Sequence, residues 1–181
     1  QKIVVMGLGY IGLPTASMLA TKGHQVLGVD VNAKAVDTIN SGRIHIVEPD
    51  LDILVRSAVN SGNLRASLTP EEGDTFIIAV PTPFKEVDGN PKAPDLSYVE
   101  AATRAIVPFV KEDDLVILES TSPVGTTELI EKIIIEGRPE LAGKVAVRGE
   151  RTADSAREQA GAGLASCSPE ELACIQRLNT A

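Results

Sequence analysis

Residues 3–30 read IVVMGLGYIGLPTASMLATKGHQVLGVD, and this stretch decides the fold. Ile3 to Met6 is an apolar run of the length of a buried strand, and it passes directly into Gly7, Gly9 and Gly12 at GxGxxG spacing. From Ile11 to about Lys22 the apolar residues Leu13, Ala16, Leu19 and Ala20 recur at three- and four-residue steps, the period of a helix with one buried face. Gly23 supplies a stop, and Gln25 to Val29 is a second buried strand that ends on Asp30. The order is strand, tight turn, helix, strand, acid, which is the context a glycine turn needs before it reads as dinucleotide-binding.

The chemistry follows from what each atom has to do. Gly7 allows the tight turn out of the strand, Gly9 lets backbone amides approach a pyrophosphate with no Cβ between, and Gly12 permits close helix–strand packing. The helix N-terminus then carries the anion through its unpaired N–H groups and the positive end of its dipole, so no Lys or Arg is needed at that spot. Asp30 is placed to accept hydrogen bonds from an adenosine ribose, and its charge repels the 2′-phosphate of NADP, so the expected cofactor is NAD.

Working outward, 181 residues suit one domain, or one domain with an appendage, and can bury a substantial core. Hydrophobic residues at 43% and charged residues at 23% are those of an ordinary globular protein. The net charge of −8, without clustered Lys and Arg, argues against nucleic acid as a partner. No apolar run approaches the length of a membrane span and no charged-then-apolar leader precedes Ile3, so a cytoplasmic location is expected, with no membrane partner. The chain opens at Gln1, one residue before the first strand, from which a lost initiator or short leader is expected. Two cysteines, Cys167 and Cys174, make neither a disulfide framework nor a four-ligand zinc site, and no metal is expected.

Beyond Asp30, a helix is expected from Ala33 to about Asn40, then an extended segment from Arg43 to Pro49, then a helix capped by Asp50 with Leu51, Leu54, Val55 and Ala58 inward. His45 in the extended segment reads as a packed or surface residue rather than a catalytic one. Strands are expected at Leu64 to Leu68 and Phe76 to Val80, the second ending in Pro81-Thr82-Pro83. That turn places a hydroxyl and free carbonyls at the carboxyl edge of the sheet, where ligands bind in open α/β folds; a rigid turn with no ligand explains it equally well. Residues 85–94, KEVDGNPKAP, read as a surface loop, and Asp95 as the cap of a helix to about Val110. Leu115 to Leu118 is the next buried strand, followed by Glu119, Ser120 and Thr121. Ser122 as N-cap and Pro123 as first residue open a helix to about Gly137, and a last strand, Lys144 to Val147, follows the loop RPELAG.

Strands alternating with helices predict an α/β domain, a Rossmann-type doubly wound parallel sheet with right-handed crossovers, over residues 1–148. Residues 149–181 lose the buried-strand pattern and become rich in Ala, Ser, Arg and Gln, an irregular or helical tail with one candidate helix from Pro169 to Leu178.

GLGYIGLP, the VDVN around Asp30, IHIVEPDL, IAVPTPF, PDLSYVEAA and ILESTSPVGTTE occur in order over residues 1–147, and together they resemble the UDP-glucose/GDP-mannose dehydrogenase family. The resemblance implies an NAD-dependent oxidation of the C6 alcohol of a UDP-amino sugar to a carboxylate in two hydride transfers, feeding surface-polysaccharide synthesis. It implies that Tyr10 and Ile11 with the three glycines hold the pyrophosphate, that Asp30 holds the ribose, and that Thr82 and Thr121 lie along the nicotinamide half. It also implies a following substrate region, with a catalytic lysine and a thioester-forming cysteine, and a second nucleotide-binding domain. Residues 149–181 match none of this; Ser168-Pro169-Glu170 echoes one family motif without its flanks, and no catalytic residue is carried over. The chain alone is therefore expected to bind NAD and oxidise no UDP-sugar. A homo-oligomer is compatible with the resemblance, whose dimer contacts are expected largely beyond these residues.

The alternative reading is a non-catalytic NAD-binding or interaction module with a new tail. A short-chain reductase needs Tyr and Lys four residues apart, and Tyr10 and Tyr98 are followed at that distance by Pro14 and Ala102. Methyl transfer from an adenosyl-methionine cofactor, whose glycine loop looks similar, is disfavoured by the family resemblance.

Overall fold

The computed structural model describes residues 1–87 and 90–149. Strand β1 (Lys2–Met6) leads through the glycine turn into α1 (Gly12–Thr21), and β2 (Gln25–Val29), α2 (Ala33–Asn40), α3 (Leu51–Asn60) and β3 (Leu64–Ser67) follow. The second half comprises β4 (Thr75–Ile78), the strands β5 (Phe84–Val87) and β6 (Asn90–Pro94), α4 (Ser97–Ile106), β7 (Leu115–Leu118), α5 (Thr126–Gly137), a 3-10 turn at Pro139–Leu141, and β8 (Ala146–Gly149). Six strands form one parallel sheet in the order β3-β2-β1-β4-β7-β8, as the alternating pattern predicts.

Alternation along the strands sorts the core into two layers. Val4, Met6, Leu27, Val29, Phe76, Ile78, Val116 and Leu118 share one face with Val99 and Ile106 of α4 and Ile130 and Ile134 of α5. Ile3 and Val5 point the other way and are fully buried, as are Leu13, Ala16 and Ala20 of α1. The chain leaves β1 for β2 on one side and enters β4 on the other, so the sheet changes direction between β1 and β4, and the crevice at their carboxyl ends is where doubly wound folds bind ligands.

Several local expectations are corrected. Residues 85–94 are not a loop: β5 and β6 pair antiparallel as a separate two-stranded ribbon, with a register shift between Lys85 and Val87. Arg43 to Pro49 forms no strand and joins neither sheet. Asp50 stands at the N-cap of α3 but in the left-handed region at φ 62°, and its side chain makes no capping bond. Asp95 precedes Leu96, the N-cap of α4, yet its Oδ1 still accepts the Ser97 N–H at 2.9 Å. Helix α5 starts at Thr126 rather than Pro123, because Gly125 at φ 93° occupies the N-cap and Pro123 closes a turn ahead of it, its carbonyl accepting the Thr126 hydroxyl at 2.7 Å. Strand β8 begins at Ala146, two residues late, since Lys144 is held in a turn by its N–H bond to the Leu141 carbonyl at 2.9 Å. The candidate helix at Pro169–Leu178 and both cysteines lie outside the described residues.

Candidate functional site: the carboxyl edge of the sheet

At the exit of β1 the packing leaves no room for side chains at two of the three glycines. Gly7 sits at φ 94°, and a Cβ there would lie 2.9 Å from the Ala79 carbonyl oxygen. A Cβ on Gly12 would lie 1.9 Å from the Gly7 carbonyl oxygen. These two glycines therefore bring α1 against the ends of β1 and β4. Gly9 is different: nothing lies within 4 Å of where its Cβ would stand. Its lack of a side chain serves no internal contact, which is what a surface kept clear for a ligand requires.

Helix α1 has no side-chain cap. The Leu13 N–H reaches the Gly9 carbonyl at 3.1 Å, while the amides of Tyr10, Ile11 and Gly12 donate to no acceptor among the described residues. They are the orphan donors of a helix start, set beside open space at Gly9. Tyr10 and Ile11 extend their side chains into solvent here, with exposures of 64% and 46%.

Asp30, at the end of β2, is locked in place by the backbone around it. Its Oδ2 accepts the Leu8 N–H at 2.9 Å and its Oδ1 the Asn32 N–H at 2.9 Å, while its own N–H donates to the Ser67 carbonyl at 3.1 Å. Each carboxylate oxygen retains capacity for a further donor, so the acid is oriented before any ribose hydroxyl reaches it. Leu8 is fully buried because β2 carries Gly28 opposite it; a Cβ there would lie 2.6 Å from Leu8 Cδ2. Asn32 in turn caps α2, its Oδ1 accepting the N–H groups of Lys34 and Ala35 at 3.1 and 3.3 Å. Val31, between these two, is an apolar side chain 97% exposed.

On the other side of β1, Thr82 and Thr121 come together from the ends of β4 and β7: the Thr82 hydroxyl donates to the Thr121 carbonyl at 2.8 Å. Beside them the hydroxyls of Ser120 and Ser122 are 2.8 Å apart. The Thr15 hydroxyl, on the second turn of α1, donates to Glu119 Oε1 at 2.8 Å and ties the glycine-turn helix to β7. All eight residues singled out in the sequence, Gly7, Gly9, Tyr10, Ile11, Gly12, Asp30, Thr82 and Thr121, thus stand at the carboxyl ends of β1, β2, β4 and β7. Sequence reading missed Leu8, Thr15 and Glu119 as members of this framework. Only Asn32 carried a local signal, as a capping residue ahead of a helical pattern. His45 is exposed on the α2–α3 connection.

The donor set suits a dinucleotide: clear backbone at Gly9, unpaired amides for a pyrophosphate, and an oriented carboxylate about one strand away for a ribose. No group of metal-ligating side chains occurs among the described residues, and no helix among them is long and apolar enough to cross a membrane.

Fold and site together define a Rossmann dinucleotide-binding domain. Residues 1–157 match the UDP-glucose/GDP-mannose dehydrogenase family, NAD binding domain, and the chain belongs to that family. An NDP-N-acetyl-D-galactosaminuronic acid dehydrogenase of Ralstonia nicotianae is 61% identical over 142 residues, which are 78% of this chain and 33% of that protein. The UDP-N-acetyl-D-mannosamine dehydrogenase of Escherichia coli K12 is 58% identical over 139 residues, 77% of this chain and 32% of its own length. Among solved structures, the UDP-N-acetyl-mannosamine dehydrogenase Cap5O of Staphylococcus aureus superposes with a TM-score of 0.74 at 38% identity, covering 88% of this chain and 38% of that one. The chain thus spans about a third of the length of the relatives it matches. The cofactor of the domain is NAD.

Proposed function

We propose that this chain is the NAD-binding portion of a nucleotide-sugar 6-dehydrogenase acting on UDP-N-acetyl-D-mannosamine. The observation that carries the cofactor half is the contrast between Gly9, with nothing within 4 Å of where its Cβ would stand, and Gly7 and Gly12, both closed by backbone. In this reading the amides of Tyr10, Ile11 and Gly12 take the pyrophosphate, Asp30 takes the adenosine ribose, and Thr82 and Thr121 flank the nicotinamide. Bound NAD supplies the hydride acceptor for oxidation of the sugar's C6 alcohol. The charge on Asp30 disfavours a 2′-phosphate. Val31, Tyr10 and Ile11 offer apolar surface to the adenosine end.

The sugar assignment rests on the motifs IHIVEPDL and ESTSPVG and on the relatives named UDP-N-acetyl-D-mannosamine dehydrogenase, set against the Ralstonia relative that carries another sugar's name. The chain by itself should bind NAD and reduce none of it with UDP-N-acetylmannosamine; NADH formation under those conditions would overturn the second half of that statement. A chimera gives the positive test. Residues of this chain that match the Escherichia coli enzyme, exchanged for their counterparts there, should preserve NAD-dependent oxidation of UDP-N-acetylmannosamine to within about tenfold in kcat/KM. A folded chimera that binds UDP-N-acetylmannosamine but not NAD would contradict the proposal.

A further inference from the structure

Asp95 stands where the chain returns from the ribbon to α4, and three segments meet on it. Its N–H donates to the Pro83 carbonyl at 2.7 Å, closing the root of the ribbon. Its Oδ1 lies 2.8 Å from Lys85 Nζ and accepts the Ser97 N–H at 2.9 Å. The Asp95 side chain is only 10% exposed, whereas that of Lys85 is 55% exposed, so a buried carboxylate is gripped by a surface ammonium. Pro83 is joined directly to Thr82, whose hydroxyl holds the Thr121 carbonyl at the end of β7. A two-stranded ribbon is not stable alone, and the prolines on either side of Thr82 fix φ but not ψ, so the turn needs an anchor from outside itself.

We infer that Lys85 and Asp95 are positioning residues for Thr82: their ion pair locks the turn that sets the Thr82–Thr121 contact, and through it the surface presented to the nicotinamide half of NAD. The inference rests on the reading of the carboxyl edge given above. The Asp95 carboxylate stays ionised at neutral pH, because the Lys85 ammonium, followed by the Ser97 hydroxyl and N–H, holds its carboxyl down at about 2. It acts as a fixed brace, not as a pH switch.

The test compares two ligands on the full chain: ADP-ribose, which is the dinucleotide without its nicotinamide ring, and NADH, whose bound fluorescence reports the nicotinamide's surroundings. Lys85→Met should leave ADP-ribose affinity within about twofold, weaken NADH about three- to tenfold and shift its bound emission, and Lys85→Arg should restore both. Asp95→Asn, which keeps an acceptor for the Ser97 N–H, should reproduce the Lys85→Met result. Unchanged NADH affinity and emission in Lys85→Met would overturn the inference. So would an equal loss of both ligands, the mark of a general structural role. A folded wild-type chain that binds neither ADP-ribose nor NADH would overturn the reading of the edge itself, and this inference with it.

Discussion

The two edges of the central sheet are built from the same strands and handle their polar groups in opposite ways. At the amino edge, charges are closed on one another. Glu71 is shared by Arg65 and Lys2, Lys144 Nζ lies 3.2 Å from Glu112, Lys111 Nζ lies 3.9 Å from Glu72, and Asp74 Oδ2 accepts the Lys2 N–H at 2.8 Å. At the carboxyl edge, amides at the start of α1 have no acceptor among the described residues, and nothing there lies within 4 Å of where a Gly9 Cβ would stand. The difference teaches where free energy is held in reserve. An edge whose donors are already paired can only stabilise, whereas unpaired donors and an oriented acid are available to a ligand.

The sharpest way to break this contrast is to treat two glycines of the same turn alike. Gly12→Val places a Cβ against the Gly7 backbone, which cannot yield as a side chain would, and should cost more than about 3 kcal/mol in chemical denaturation. Gly9→Val places a Cβ with nothing within 4 Å among the described residues and should leave stability within about 1 kcal/mol, while calorimetry should show NAD binding weakened by about 3 kcal/mol or more. Equal damage from both substitutions would erase the distinction between a packing glycine and a ligand glycine.

Asp30→Ala should weaken NAD by about 1 to 3 kcal/mol and relax discrimination against NADP, as read by parallel titrations. It should also lower the unfolding temperature, because the Leu8 and Asn32 amides lose their acceptor. At the amino edge, Lys144→Ala removes an exposed pair and should change stability by about 0 to 1 kcal/mol, with NAD affinity untouched.

The smallest effect sharpens the comparison through pH. Burial pushes the Asp114 carboxyl up from its ordinary value, with the Lys111 N–H pulling the other way. Its native state therefore holds a proton more tightly than the unfolded chain, and the associated stability is full below the unfolded value and fades as pH rises through the folded one. Asp114→Asn should be at least as stable as the wild type at neutral pH, and the difference should vanish in acid. Glu71 works in the opposite direction: the Arg65 contact holds its carboxyl low, so its contribution is present above the ordinary carboxylate range and is lost on acidification. Urea midpoints across pH for Asp114→Asn and Glu71→Gln separate the two signs.

Most of the framework was legible in the sequence because burial and local pattern coincide there. The runs at Ile3–Met6, Gln25–Val29 and Leu115–Leu118 are strands because both faces of a parallel sheet are covered, and their apolar runs carry that requirement openly. What escaped depended on partners distant in the chain. The ribbon at Phe84–Pro94 was hidden by its prolines and by Lys85, whose partner Asp95 lies across the ladder, although Asp88-Gly89 is a dipeptide favoured in hairpin turns. The delayed start of α5 reflects Gly125, a helix opening with no side-chain cap to announce it. For the candidate site, the glycines and Asp30 have fixed spacing and could be read directly. The Thr15–Glu119 and Thr82–Thr121 contacts join residues 104 and 39 positions apart, and only the folded sheet brings them together.

The most direct test of the central claim, that the open carboxyl edge is an NAD site, is calorimetric titration of the chain with NAD, set beside NADP and beside the Gly9→Val variant. An NAD site there gives saturable NAD binding to the wild type, weaker binding of NADP, and loss of NAD binding in a variant that unfolds at the wild-type midpoint. Absence of binding by the folded wild type, or undiminished binding by Gly9→Val, would contradict it.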